Sequence, residues 1–126
     1  MKHASIHNRT KSTIIAHYAY ITETDDEKRI GLSQFTFLSP GHGMVIHPAS
    51  SITTEHMSFP IDVIFVNGAM QVCRIYPAVL PGTILTPAFK GSTKHSRLGA
   101  IELPAGTIYS TNTDIHDNIG FGSPLK

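Results

Sequence analysis

The sequence predicts a mainly β fold, α+β at the margin: a compact antiparallel β-barrel or curled sheet of five to seven short strands, with one short helix near residues 25–34. Three observations predict it. Residues 59–76 are two apolar, β-branched runs around a lone Asn67-Gly68, the signal for a hairpin with a two-residue type I′ turn. Short apolar runs elsewhere are separated by Pro- and Gly-containing turns. A single stretch, Thr24-Asp25-Asp26-Glu27, has the form of a capping box, with Thr24 as N-cap and Glu27 reaching back to its amide.

Residues 1–11 are polar and basic (His3, His7, Arg9, Lys11) and read as a flexible arm. Ser12–Ile21 alternates as a strand, with Ile15, Ala19 and Ile21 on one face and Ile14, Ala16, Tyr18 and Tyr20 on the other. The helix follows, turning Ile30 and Leu32 toward the core, with Gly31 weakening its end. Ser39-Pro40-Gly41-His42-Gly43 is a turn, and Met44–His47 a short strand stopped by Pro48. Residues 49–58 are a polar connection into the hairpin, and Thr83–Thr86 reads as a further short strand. Lys90, Lys94, His95 and Arg97 mark a basic loop, read as a solvated loop or as a seat for an anion or acidic partner. Gly99–Leu103 is a strand, Pro104-Ala105-Gly106 a turn, and Thr107–Tyr109 the strand's continuation. Residues 12–119 thus form a single β-rich domain, and 120–126 a flexible tail.

Counting outward from Asn67-Gly68 pairs Val66 with Ala69, Val63 with Val72 and Asp62 with Cys73. Both faces of this hairpin are mostly apolar, so both are expected to be covered and Asp62 to be at least partly buried. A buried carboxylate needs donors. The candidates are Arg29, His56 and the backbone amides of residues 53–58. Asp62 then either pins the loop before it or serves as a general base or ligand contact, with His56 and Glu55 as its catalytic companions. Glu102, between Ile101 and Leu103, is expected to face solvent; were it to share a cavity with Asp62, the two would make an acid–base or ligand-binding pair.

Composition narrows the classes. With 126 residues, 40% hydrophobic and 15% charged, the chain is one globular domain rather than a disordered one. A formal net charge of +1 supplies no field for nucleic acid. The single Cys73 excludes an internal disulfide and a Cys-rich zinc site, and its place inside a strand makes it a small core residue. Eight histidines are present, and His42, His47 and His56 lie near Glu55, yet none has paired metal-ligand spacing, so no metal site is assigned. No nucleophile elbow, phosphate loop or cofactor motif occurs, and no cofactor is assigned. No apolar run approaches the ~20 residues of a membrane span. The start of the chain lacks the apolar stretch of about 7–15 residues that a signal peptide carries, which reads as cytoplasmic unless a signal has been removed.

Several short motifs, in order, resemble one known family. Arg29-Ile30-Gly31-Leu32, Gly43-Met44-Val45-Ile46, Ser51-Ile52-Thr53, Met57 through Val66 with its Phe59-Pro60-Ile61-Asp62 core, Ile101 through Thr107, and Ile115-His116-Asp117 are similar to the signature of the domain-of-unknown-function 192 family. The match covers residues 12–119. The chain departs from the pattern at Thr53, where His or Trp is usual, at Ser33 in place of Met, and at His116 in place of Gly. The resemblance implies a small barrel-like β fold, often exported or membrane-anchored in relatives, and no established activity. Two functional readings follow. The first is a non-catalytic binding or accessory module, whose groove between residues 47–58 and the 59–76 hairpin takes a peptide, protein or small molecule, with Arg29, His47, Thr53, Met57, Asp62 and Glu102 as candidate contacts. The second is a small hydrolase or isomerase using Asp62 with His56, Glu55 or Arg29.

Overall fold

The computed structural model describes residues 2–32, 35–55, 57–87 and 98–125. In chain order these form β1 (Lys2–Asn8), β2 (Thr13–Ile21), α1 (Asp25–Ile30), β3 (His42–Ile46), β4 (Ile52–Thr53), β5 (Ile61–Val66), β6 (Val72–Val79), β7 (Ile84–Leu85), β8 (Gly99–Pro104), α2 (Thr107–Ser110) and β9 (Ile119–Gly122). Seven strands make one curled half-barrel sheet in the order β6-β5-β8-β3-β2-β1-β9, and β4 and β7 form a separate pair. The β2–β3 pair is parallel, which requires the crossover that carries α1; the other described pairs are antiparallel.

The mainly β architecture is the predicted one, and the differences have local causes. Residues 2–8 are not a frayed arm: β1 pairs with β2 on one side and β9 on the other, and Ile6 is fully buried. Nor is the chain loose from residue 120, because Gly120, Phe121 and Gly122 pair with β1. Polar side chains at alternate positions of β1 hid a strand whose backbone is satisfied on both edges. Thr107–Tyr109 belongs to the short helix α2 and does not continue β8, since Gly106 at φ 98° turns the chain out of the sheet.

The capping box at Thr24 is present as read: its side chain accepts the Glu27 amide, and the Glu27 carboxylate accepts the Thr24 amide. Helix α1 ends at Ile30 because Gly31 takes φ 50°. Residues 33 and 34, to which the helix was expected to reach, lie outside the described residues. Ile30 remains 41% exposed, and Leu32 alone enters the core.

The hairpin is real, but its turn is longer than two residues. The Met70 amide donates to the Asn67 carbonyl and the Asn67 amide to the Gln71 carbonyl, while Met70 takes φ 61°. This is the three-residue loop with a left-handed third residue, tied by Asn67 Oδ1 to the Ala69 and Gln71 amides. Phe65 therefore pairs with Arg74 and Val66 with Val72, leaving Cys73 as an extra residue. A second irregularity sets Asp62 against Pro77 and Ala78, not Cys73. All six residues of β5 are buried, because each sheet face carries its own core. One face packs Leu32, Met44, Met57, Val63 and Phe65; the other packs Ile6, Ile64, Ile101, Leu103 and Ile108. Gly43 permits the close approach of β3 and β8, since a Cβ there would lie 2.9 Å from Leu103 Cδ2 and 3.0 Å from the Glu102 carbonyl oxygen.

Candidate functional site

Strand β8 is central in the sheet, and Glu102 lies on it opposite Met44 of β3 and Val63 of β5. Cross-strand partners share a face, so Glu102 points to the side of Met44 and Val63 and away from Ile101 and Leu103. It does not face solvent. It is 3% exposed, and its Oε1 has no hydrogen-bond partner among the described residues. Neither cross-strand neighbour carries a donor. Burial raises its carboxyl to about 7, so near neutral pH it is divided between acid and carboxylate.

Above this carboxyl is an open pocket of about 450 Å³. One wall is α1 and its end, from Asp25 through Lys28 and Arg29 to Leu32. The other is the loop after β3, from Pro48 through Ser50 and Ser51 to Thr53, with Met57 beneath it. Glu102 belongs to the same lining. Gly31 lies between α1 and β8 on this lining; a Cβ there would be 3.8 Å from Glu102 Oε1, an ordinary contact distance. The capping box sets where α1 begins, which brings Asp25, Lys28 and Arg29, at i, i+3 and i+4, to one side of the helix. Arg29 is engaged at the surface with Asp26 at 2.9 Å. The chain enters the loop wall through a cis His47–Pro48 peptide.

Of the residues singled out from sequence, Arg29, Thr53, Met57 and Glu102 line this one pocket. His47 lines a different cavity of about 350 Å³, bounded by Val45, Val66, Met70 and Phe121. Glu55 is exposed, and His56 lies outside the described residues, as does the basic loop at 90–97. The pocket shares the 47–58 wall of the expected groove, but α1 and β8 close it rather than the hairpin. Lys28 and Ser50 were not singled out beforehand, and Ser51 entered only as part of the Ser51-Ile52-Thr53 resemblance. The i, i+3, i+4 spacing behind the capping box was the available signal for Lys28; nothing in the local sequence marks Ser50.

Asp62 sits on the opposite face of the sheet and does not join Glu102. It is fully buried, and among the described residues its donors come from neither Arg29 nor the 53–55 and 57–58 segments. Oδ1 accepts the Ala78 amide at 2.9 Å, and Oδ2 accepts the Gly106 and Ile108 amides at 3.1 and 2.8 Å. Ala78 aims its amide inward from a left-handed φ of 50°, at the irregularity next to Pro77. Gly106 and Ile108 belong to the turn and first residues of α2, a helix with no side-chain cap of its own. Asp62 is thus a pin for segments 16 to 46 residues downstream, and among the described residues it makes no hydrogen bond to the loop before it. Cys73 is buried, its Sγ donating to the Phe65 carbonyl at 3.2 Å, and burial pushes its thiol up from the usual value. Among the described residues no cluster of His, Cys, Asp and Glu is arranged to hold a metal, and no helix is long and apolar enough to cross a membrane.

The fold and site define a class: a small half-barrel domain with a carboxylate pin on one sheet face and a buried carboxyl under an open pocket on the other. The chain belongs to the domain-of-unknown-function 192 family, described as an uncharacterised ACR, whose model matches residues 6–121. A protein of unknown function from Novosphingobium aromaticivorans DSM 12444 has a similar structure, with 21% identity and a TM-score of 0.73 over 94% of this chain and 83% of its own. A provisionally named transcription regulator from Sinorhizobium meliloti 1021 is similar at 14% identity and a TM-score of 0.71, over 94% of this chain and 92% of its own. At these identities the likeness is one of fold. A search of curated protein sequences gives no significant match.

Proposed function

We propose that this domain is a non-catalytic binding module whose ligand is a small molecule held in the pocket between α1, the 48–53 loop and Glu102. One observation carries the reading: Glu102 belongs to the lining of an open cavity, and one oxygen of its buried carboxyl has no partner among the described residues. A polar atom stripped of water without a replacement costs about 1–3 kcal/mol, and such costs persist where a ligand supplies the missing partner. The cavity volume falls in the usual range for small ligands, roughly 300–1,000 Å³. Its lining combines apolar side chains such as Leu32, Ile52 and Met57 with charged and hydroxyl groups that can orient a ligand.

The catalytic reading built on Asp62 draws no support from the geometry. All three of its described donors are backbone amides, and Arg29 lines a pocket to which Asp62 does not contribute. A general base must reach its substrate's proton.

A fragment screen read by backbone amide chemical shifts tests the proposal. Binders are expected to move the amides of Gly31, Leu32, Ala49, Ser51 and Thr53 while leaving Ile108 and Asn118 in place. A screen whose hits all cluster elsewhere, for example around His47 and Phe121, overturns it.

A further inference from the structure

Resting on the pocket reading above, we infer that its ligand is a zwitterion bound amine-first: an apolar amino acid, or the N-terminal end of a short peptide, with its ammonium on Glu102 and its carboxylate toward Lys28 and Arg29. The deficiency at the floor of the pocket is a missing donor. Glu102 Oε1 is an acceptor, 3% exposed residue and all, with Met44 and Val63 as cross-strand neighbours and no donor of its own. A ligand that completes it brings an N–H or O–H, and an ammonium is the strongest such donor for a carboxylate.

The helix wall has the opposite requirement. Its charged residues at the pocket are Asp25, Lys28 and Arg29, of which Lys28 is the cation available to a ligand. Arg29 is already turned to Asp26, and Lys28 forms no ion pair among the described residues. The loop wall adds hydroxyls from Ser50, Ser51 and Thr53 but no charge. A ligand with a cationic inner end and an anionic outer end satisfies both walls. A purely anionic ligand leaves Glu102 unpaired, and a purely cationic one leaves Lys28 without an anion. Between the ends, Leu32, Ile52 and Met57 offer an apolar surface suited to an aliphatic side chain.

Four compounds titrated into the wild-type chain at pH 7.5, read by the same amide shifts, decide the matter. L-leucine and Leu-Gly-Gly keep both charges and separate a free amino acid from a peptide N-terminus; N-acetyl-leucine lacks the ammonium, and leucine methyl ester lacks the carboxylate. At least one of the first two is expected to bind at the pocket, with N-acetyl-leucine at least tenfold weaker and the ester weakened less, since the helix wall is more exposed than the floor. Glu102→Gln is expected to erase the difference between L-leucine and N-acetyl-leucine. Lys28→Ala, on the surface, is expected to erase the difference between L-leucine and its ester. N-acetyl-leucine binding in the pocket as tightly as L-leucine overturns the zwitterion while leaving a binding pocket in place. No pocket shift from any of the four also overturns it, and the fragment screen then judges the pocket by itself.

Discussion

Asp62 of β5 caps a helix that begins 45 residues later: its Oδ2 accepts the Ile108 amide at 2.8 Å, in the first turn of α2, whose own N-cap is Gly106. A helix N-terminus leaves its first amides without partners, and an anion there satisfies them. Placing that anion on a buried strand ties α2 and the β6 irregularity at Ala78 to the middle of the sheet.

Replacing Asp62 with Asn keeps the shape and removes an acceptor. The new amide group sets donors against the donors of Ala78 or of Gly106 and Ile108. The expected loss is about 2–4 kcal/mol of unfolding free energy, combining a broken charged hydrogen bond with orphaned amides. Urea denaturation at pH 7 measures it, and stability equal to wild type would contradict the pin.

Glu102 gives the fold a pH dependence of the opposite kind from most carboxylates. Its folded pKa of about 7 lies above the ordinary value of 4.5, so the folded chain holds a proton that the unfolded chain releases between those values. Stability therefore falls as pH rises through this window, by up to about 3 kcal/mol at ~1.4 kcal/mol per pH unit. The groups around it are Asp25, Lys28 and Arg29 on α1, with Met44 and Val63 on the adjacent strands. In Glu102→Gln the decline between pH 4.5 and 7 is expected to disappear. A thermal-denaturation series across pH checks it, and an unchanged slope in the variant refutes the assignment.

Asp117 acts at the acid end. Burial works against its charge, but hydrogen bonds from Asn8, from the Asp114 amide and from Lys11 outweigh burial and hold its carboxyl below the usual range. Its contribution is fully present above the ordinary carboxylate pKa and is lost as pH falls through its lowered value. Asp117→Asn is expected to be less stable than wild type at pH 7, with the two converging on acidification. Parallel curves down to pH 2 would rule this out.

Cys73 is expected to resist alkylation in the folded protein. Its thiol is buried, donates to Phe65 and is pushed up in pKa, so little thiolate is present at neutral pH. Iodoacetamide at pH 7.5 should label it at the rate of unfolding and faster in urea. Rapid labelling of the native chain would show the side chain to be accessible.

Much of the fold was legible because its signals are local. Thr24 and Glu27 meet within one helical turn, so the capping box needed no tertiary partner to be read. The β-branched runs around Asn67-Gly68 announced a hairpin for the same reason. The turn's true length was not legible, because register depends on Cys73 and Ala78 stepping out of the ladder where neighbouring strands and Asp62 accommodate them. Strand β1 was missed since its partners, β2 and β9, come from near and far along the chain, and polar side chains such as His3 and His7 lie between its buried ones.

Sequence alone determined that Asp62 would be buried and in need of donors, because a carboxylate among apolar β residues has no local escape from that cost. Tertiary structure decided which donors: backbone amides at residues 78, 106 and 108, which only the return of β6 and β8 brings within reach. The same distinction separates the two carboxyls. Alternation correctly set Glu102 on the face away from Ile101 and Leu103, but whether that face meets water or a core depends on what lies over it. Here Leu32, Met57 and the end of α1 lie over it, so the residue expected at the surface became the floor of the pocket.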